Sequence, residues 1–249
     1  MIAYWRSTIG KKQLIAVTGA ILVGYLILHM VGNLNSVFGP GAEEARVDWY
    51  ARWLREFGEP LVPHEAVLWI VRAVLLAAIV IHVTGIVQLT KRNKEARPLQ
   101  YPAKRLGRSL EATAMLATGT LLVAFIVFHV MQFTTFSIQV TPVEEGAVYA
   151  NLYWAFQKWY FLAIYLVALI LVGMHLRHGI WSFFQTMGLD SPQRNSALRH
   201  GSTALAVILV VGFGAIPVLF FTEVLDPPGT AAVLTSLGGA ASSLTGAAG

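Results

Sequence analysis

The sequence contains no cysteine, and this absence excludes several kinds of site. A chain without cysteine forms no disulfide bond, and it offers no thiolate to an iron–sulfur cluster and no thiol to a thioether-attached cofactor. Any metal or cofactor that the chain holds must therefore be bound by other side chains. Histidine is the commonest metal ligand in proteins, and the chain has seven.

Charged residues are also scarce, at 12% of the 249 residues, whereas a soluble domain carries about a quarter. Hydrophobic residues make up 56%, and the mean hydropathy is +0.62. The charges cluster between five apolar runs of about the 20 residues that a helix needs to cross a bilayer core, and the alternating pattern of barrel strands is absent. We therefore predict an all-α bundle of five transmembrane helices. The runs are Leu14–Val31, Ala66–Leu89, Thr113–Phe133, Trp159–Met174 (extending past His175) and Thr203–Phe221.

The distribution of Lys and Arg predicts the orientation of these helices, because cytoplasmic loops carry an excess of both. The N-terminal arm and the connections after the second and fourth runs are basic, whereas the other two connections are acidic or nearly uncharged. Alternating helices place the three basic segments on one side. We expect a cytoplasmic N-terminus and an external C-terminus. The net charge of +5 then reports topology, and no nucleic-acid partner is expected, since that would need a continuous basic face.

Two further segments complete the predicted organisation. The long connection Asn35–Pro63 is expected to include a short interfacial helix around Asp48–Phe57. Residues 229–249 carry no charge and are predicted to form a low-complexity external tail after a five-helix domain over residues 1–228. No internal repeat is evident, and the first apolar run is too long for a cleavable signal peptide.

Four histidines lie in the later halves of four different apolar runs. With a rise of 1.5 Å per residue, His29 lies roughly 25 Å and His129 roughly 30 Å above the cytoplasmic boundary, and His82 lies roughly 14 Å above it. His175 precedes Arg177 by two residues on a descending helix, which places it in the inner half. The sequence thus predicts an outer pair, His29 with His129, and an inner pair, His82 with His175.

Paired imidazoles at two depths are typical of two haems. Ionisable side chains inside a membrane are costly and usually mark function. Two axial imidazoles suit an electron-transfer haem, whereas zinc needs three or four ligands at one depth. We expect two b-type haems, with the outer iron held by His29 and His129 and the inner iron by His82 and His175. For any one of these histidines, the alternative role is an interhelical hydrogen bond to the backbone.

The other histidines have different predicted roles. His178 follows His175 by three residues on nearly the same helix face, so it is an alternative inner ligand. His64 and His200 are expected at the two interfaces rather than on a haem.

Haem propionates need cations, and a flat macrocycle between helices needs small residues. Arg177 is the candidate cation for the inner haem, with snorkelling to the headgroups as its alternative role. Arg72 and Lys158 are the candidates for the outer haem. Glycines near the four histidines permit close approach, and they equally suit ordinary helix packing. These glycines are Gly24, Gly32, Gly85, Gly119, Gly173 and Gly179.

Several motifs in three of the helices carry a family resemblance. They are Ser7-Thr-Ile-Gly-Lys-Lys12, Val17-Thr-Gly19 and Leu28-His-Met-Val-Gly-Asn-Leu34 in the first helix, Gly119-Thr-Leu-Leu and Phe128-His129 in the third, and Met174-His-Leu-Arg-His-Gly-Ile-Trp-Ser182 with Gln185-Thr-Met-Gly188 in the fourth. On these residues the chain resembles the single-subunit, five-helix, di-haem cytochrome b membrane anchors of bacterial succinate dehydrogenase and succinate:quinone or fumarate reductase. The resemblance runs from about Ser7 to Phe221.

The resemblance implies a function within a larger enzyme of the bacterial cytoplasmic membrane. The subunit would anchor a flavoprotein with covalent FAD and an iron–sulfur subunit on its cytoplasmic face, where Ser7–Lys12 and the basic loops would meet the iron–sulfur subunit. Electrons from succinate would pass through the inner and then the outer haem to a quinone, with menaquinone expected rather than ubiquinone. Family members place a carboxylate near that quinone, and Glu56, Glu59 and Glu65 are the local candidates. The complex could also form a homo-oligomer.

Two other functions remain open. One is a di-haem cytochrome b of another respiratory complex, such as the anchor of a hydrogenase or a formate dehydrogenase. The other is a haem-free transporter whose histidines relay protons.

Overall fold

The computed structural model describes residues 7–41, 43–96, 110–138 and 145–229. Within these ranges the chain is helical and contains no strand. The predicted tail lies outside the described residues from position 230 onward. The helices in chain order are α1 (Thr8–Asn33), a 3-10 helix (Leu34–Phe38), α2 (Arg46–Glu56), α3 (Ala66–Glu95), α4 (Leu110–Phe133), α5 (Val148–Phe156), α6 (Trp159–Thr186) and α7 (Asn195–Phe221).

Five of these helices, α1, α3, α4, α6 and α7, are long and apolar enough to cross a membrane. This confirms the predicted number of spans and the all-α class, and it identifies a multi-pass membrane protein. The side on which each terminus lies stays a prediction from the basic loops.

The spanning helices extend beyond the apolar runs at their polar ends. Helix α1 begins at Thr8, where the N–H of Gly10 donates to Ser7 Oγ (2.9 Å) in the manner of an N-cap. Lys11 lies inside this helix, is 4% exposed, and donates from Nζ to Gln88 Oε1 (2.6 Å). Helix α3 continues to Glu95 through a basic last turn. Hydropathy marks the part of each helix that suits lipid, and capping groups decide where the helix ends.

Two short helices lie between the spans. The interfacial helix predicted around Asp48–Phe57 is present as α2. Helix α5 was not predicted, and most of its side chains are buried. Asp48 Oδ1 accepts the backbone N–H of Tyr149 (2.8 Å), so a side chain of α2 caps the first turn of α5.

The chain divides into two structural units, and each contains one histidine pair. The first unit holds His82 and His175, and it falls within Met1–Leu28, Leu68–Val123 and Ile170–Val210. The second holds His29 and His129, and it falls within His29–Val67, Ala124–Leu169 and Val211–Gly249. Its buried core consists mainly of aromatic and aliphatic side chains, among them Tyr149, Phe156 and Phe220.

Candidate functional site

The second unit brings His29 and His129 together. Their ring centroids are 5.9 Å apart, and the ring planes are nearly perpendicular at 81°. Imidazole nitrogens bind metals at about 2 Å, so two rings on opposite sides of one metal have centroids about 6 Å apart. The observed spacing fits a shared iron. Phe213 lies beside His29, with its centroid 5.7 Å away.

His129 is held by a buried hydrogen-bond chain. Its Nδ1 lies 3.0 Å from the hydroxyl of Tyr165, which donates to Gln132 Oε1 (2.9 Å). Tyr165 is 9% exposed and Gln132 is 5% exposed. Phe125 stacks on the His129 ring at 5.9 Å between centroids. These contacts occupy Nδ1 and leave Nε2 of His129 as the nitrogen for a metal.

The first unit holds His82 against helix α1. Its Nδ1 lies 3.0 Å from the carbonyl oxygen of Ile15 and 3.2 Å from Thr18 Oγ1. Thr18 Oγ1 donates to the carbonyl of Leu14 (2.7 Å), so it can accept the Nδ1 proton of His82. Nε2 is again the nitrogen that can bind a metal.

His175 is held on helix α4 in the same way. Its Nδ1 lies 3.2 Å from Thr118 Oγ1, whose hydroxyl donates to the carbonyl of Ala114 (3.1 Å). His82 and His175 lie in the same unit. The structure therefore brings the members of the predicted outer pair into contact and places both members of the inner pair in one unit. Their role as haem ligands stays a prediction.

Two glycines make room for these imidazoles. A Cβ on Gly19 would lie 3.2 Å from Cε1 of His82, and one on Gly119 would lie 3.3 Å from Cε1 of His175. Both contacts are tighter than ordinary van der Waals packing. The sequence left two roles open for Gly119, close approach to a macrocycle and ordinary helix packing, and in the structure it packs against a histidine ring.

The remaining glycines near the histidines differ in their surroundings. A Cβ on Gly24 or Gly179 would meet no atom within 4 Å, so open space adjoins both positions. Gly32 packs on the ring of Tyr50, and Gly173 packs on Val210.

Thr18 and Thr118 were not recognised from the sequence, although a signal for them exists. Thr118-Gly119 follows Thr18-Gly19 by 100 positions, and His129 follows His29 by the same interval. Each Thr-Gly pair holds a histidine of the next spanning helix. Helices α1 and α4 are thus equivalent parts of an internal repeat, which the sequence analysis missed.

The polar groups that could bind the propionates of the inner haem have different contacts. Arg177 is exposed on α6 and donates from Nε to Thr203 Oγ1 (3.3 Å). Trp181 was not predicted as a site residue, yet its Nε1 is buried and has no hydrogen-bond partner in the described part of the chain. Arg199 lies over the Trp181 ring at 4.5 Å. A buried donor beside arginine fits the carboxylate of a propionate.

The two cations predicted for the outer haem have different surroundings. Arg72 belongs to the first unit, and its guanidinium lies over the Trp69 ring at 4.8 Å. Lys158 belongs to the second unit and is half-buried just before α6. The roles of Arg72 and Lys158 at the outer haem stay predictions.

The three candidate carboxylates also differ. Glu56 is exposed at the end of α2, and Glu59 pairs with His64 at 2.8 Å. Glu65 is half-buried, pairs with Arg55 Nε at 3.2 Å, and donates its N–H to the Arg55 carbonyl (2.8 Å). Its φ of 59° lies in the left-handed region, which costs an ordinary residue about 1–2 kcal/mol. Such strain is commonest at functional positions.

The other three histidines have different surroundings. His64 and His200 are exposed, and His200 Nδ1 bonds to the carbonyl of Ser196 (2.7 Å). His178 packs its ring on Trp181, with centroids 5.9 Å apart.

Among the described residues, no three or more His, Cys, Asp or Glu side chains converge as a metal site. Paired imidazoles suit haem, whose porphyrin supplies the other four ligands. No family model, curated protein or solved structure matches the chain.

Proposed function

We propose that this protein carries electrons within a membrane on two b-type haems, each held by one histidine pair. The observation that supports this most is the pairing itself. Each unit contains one of the predicted histidine pairs. A hydrogen bond holds Nδ1 of His82, His129 and His175 and leaves Nε2 of each ring for iron. The 5.9 Å spacing of His29 and His129 matches the span of one metal between two rings.

When bound, haem supplies reversible one-electron transfer. The residues of this chain bind it, orient it and exclude water. The acceptors on Nδ1 fix the tautomer and the rotation of each ring, as the outer partners of metal-bound histidines generally do. Trp181 Nε1 and Arg177 would bind the propionates of the inner haem.

We further propose that the protein is the membrane anchor of a succinate:quinone oxidoreductase, in which another subunit acts on succinate. The motifs from Ser7 to Gly188 support this assignment. The partners would be a flavoprotein and an iron–sulfur subunit at the cytoplasmic face, and the electron acceptor would be a membrane quinone, with menaquinone preferred. Glu65 is the strongest of the three candidates for the carboxylate near the quinone, because it combines partial burial, an arginine partner and a strained backbone.

The first prediction concerns haem content. Protein purified from haem-sufficient cells should show b-type bands after dithionite reduction and bind two haems per chain. His82→Ala or His175→Ala should remove one haem and spare most of the other, because each haem has its own pair of ligands. The measurement is the reduced-minus-oxidised spectrum with the haem-to-protein ratio.

His200→Ala is the matched control, since this exposed histidine bonds only within its own helix, and it should keep two haems. Equal loss of both haems in a folded His82→Ala protein would contradict the pairing. A spectrum without b-type bands would favour the proton-relaying transporter. Co-purification with a nickel or molybdenum subunit instead of a flavoprotein would favour another respiratory complex.

A further inference from the structure

The His129–Tyr165–Gln132 chain differs from the groups that hold His82 and His175. Its acceptor for the His129 ring is a phenol from α6, and that phenol is in turn held by an amide from α4. His129 and Gln132 are three residues apart on one helix and therefore share a face. Tyr165 spans the gap between α6 and this face, so the chain joins two helices through buried groups.

The direction of the hydrogen bonds in this chain follows from the chemistry of the three groups. With iron bound at Nε2, the ring proton would lie on Nδ1, and His129 would donate to the Tyr165 oxygen. The Tyr165 hydroxyl then donates its own proton to Gln132 Oε1, since an amide oxygen only accepts. Each hydrogen bond then runs in one direction, so the three groups are satisfied in a single arrangement. Buried and satisfied networks of this kind rigidify the groups they join.

An acceptor on Nδ1 makes the imidazole a stronger electron donor to its metal. A stronger donor stabilises the ferric state and lowers the reduction potential of the haem. At His82 and His175 the acceptors include threonine hydroxyls, and these hydroxyls donate their protons to carbonyls of their own helices. At His129 the acceptor is polarised by a second side chain, and both side chains can be replaced without altering a helix backbone.

We infer that Tyr165, held by Gln132, is the positioning residue of His129 and lowers the reduction potential of the outer haem independently of the inner one. This inference rests on the proposed di-haem function. It assigns to the protein a pair of side chains that acts on one haem and not on the other.

The test is a redox titration of the purified full-length protein, with the two haems followed by their absorbance and by low-temperature electron paramagnetic resonance. Tyr165→Phe keeps the ring and removes the hydroxyl. It should raise the midpoint potential of one haem and change the low-spin signal of that haem alone. Gln132→Met removes the acceptor at similar volume and should shift the same haem in the same direction by a smaller amount.

Tyr160→Phe is the matched control, because it removes an exposed hydroxyl from the same helix, and both potentials should stay unchanged. If Tyr165→Phe loses the outer haem altogether, a same-sign shift in Gln132→Met still supports the inference, and an unshifted Gln132→Met overturns it. Unchanged potentials in both variants, or equal shifts of the two haems, also overturn it. Absence of haem from the wild-type protein defeats the proposed function itself, so the two failures are distinguishable.

Discussion

At the scale of single residues, the glycine opposite each inner histidine decides how closely two helices approach. Gly119 lies on α4 where the ring of His175 crosses, and a methyl group there would sit 3.3 Å from Cε1. A shift of a few tenths of an ångström would absorb that methyl group. A β-branched side chain adds two further atoms beside the half-buried ring of His175, which that small shift would not accommodate.

We therefore predict a graded effect of substitutions at Gly119. Gly119→Ala should keep two haems per chain, whereas Gly119→Val should lose the haem of the His82–His175 pair and keep the other. The haem-to-protein ratio measures both. Gly201→Val is the control for the cost of a β-branched residue in a helix, because Gly201 faces open space on α7. Two haems retained in Gly119→Val would show that His175 does not bind iron from this position.

The four histidines of the site could be predicted from the sequence, since each interrupts an apolar run at a depth fixed by helix rise. The groups that hold them could not. Thr18 and Thr118 look like ordinary helix threonines, whose hydroxyls commonly bond to the carbonyl four residues earlier, as these two also do. Tyr165 and Gln132 are far apart in sequence, and only the packing of α6 on α4 brings them together.

At the scale of elements, α5 depends on a cap supplied by α2. The carboxylate of Asp48 accepts the N–H of Tyr149, and burial raises the pKa of Asp48 above its usual value of 3.8, against the opposing effect of its backbone hydrogen bonds. The folded state thus holds this proton at higher pH than the unfolded state. The stability that the protonated carboxyl contributes is therefore lost as the pH rises from about 4 through the raised pKa.

The direction of this pH dependence gives a prediction for two variants at Asp48. Asp48→Asn keeps an oxygen acceptor without the buried charge, so it should be at least as stable as the wild type at pH 7, with the advantage vanishing toward pH 4. Asp48→Ala loses the acceptor and should be less stable by about 1 kcal/mol. Thermal unfolding in detergent across this pH range measures both. If the asparagine and alanine variants were equally destabilised at pH 7, the charge itself would be the stabilising group.

The elements could be predicted where hydropathy marks them. All five spans and the interfacial helix α2 were expected, and two of the spans begin at the predicted residue, Ala66 and Trp159. Helix α5 was missed because its nine residues are too few for a span, and its apolar side chains are buried by tertiary packing rather than by lipid. Both ends of α1 and the start of α7 were placed too far inside, since polar residues continue a helix beyond its apolar part.

At the scale of the whole molecule, the repeated Thr-Gly…His pattern indicates that two helix pairs, α1 with α3 and α4 with α6, use the same design. In each pair the first helix bears one histidine and supports another on the second helix. The fifth span, α7, has no counterpart. One span, α3, lies between α1 and α4. If the loops alternate sides as the basic residues predict, α1 and α4 therefore cross the membrane in the same direction.

The lack of cysteine makes the topology directly testable, because any introduced thiol is the only one. Single substitutions at exposed positions should divide into two classes with a membrane-impermeant thiol reagent. Ala96→Cys and Gln193→Cys should be labelled in inside-out vesicles, whereas Glu43→Cys and Glu145→Cys should be labelled in intact cells or right-side-out vesicles. Labelling of Ala96→Cys and Glu145→Cys from the same side would contradict the alternation of α3 and α4. A complete reversal of both classes would keep the alternation but place the basic loops outside. The cytoplasmic face would then lack the basic loops at which the proposed iron–sulfur partner would dock.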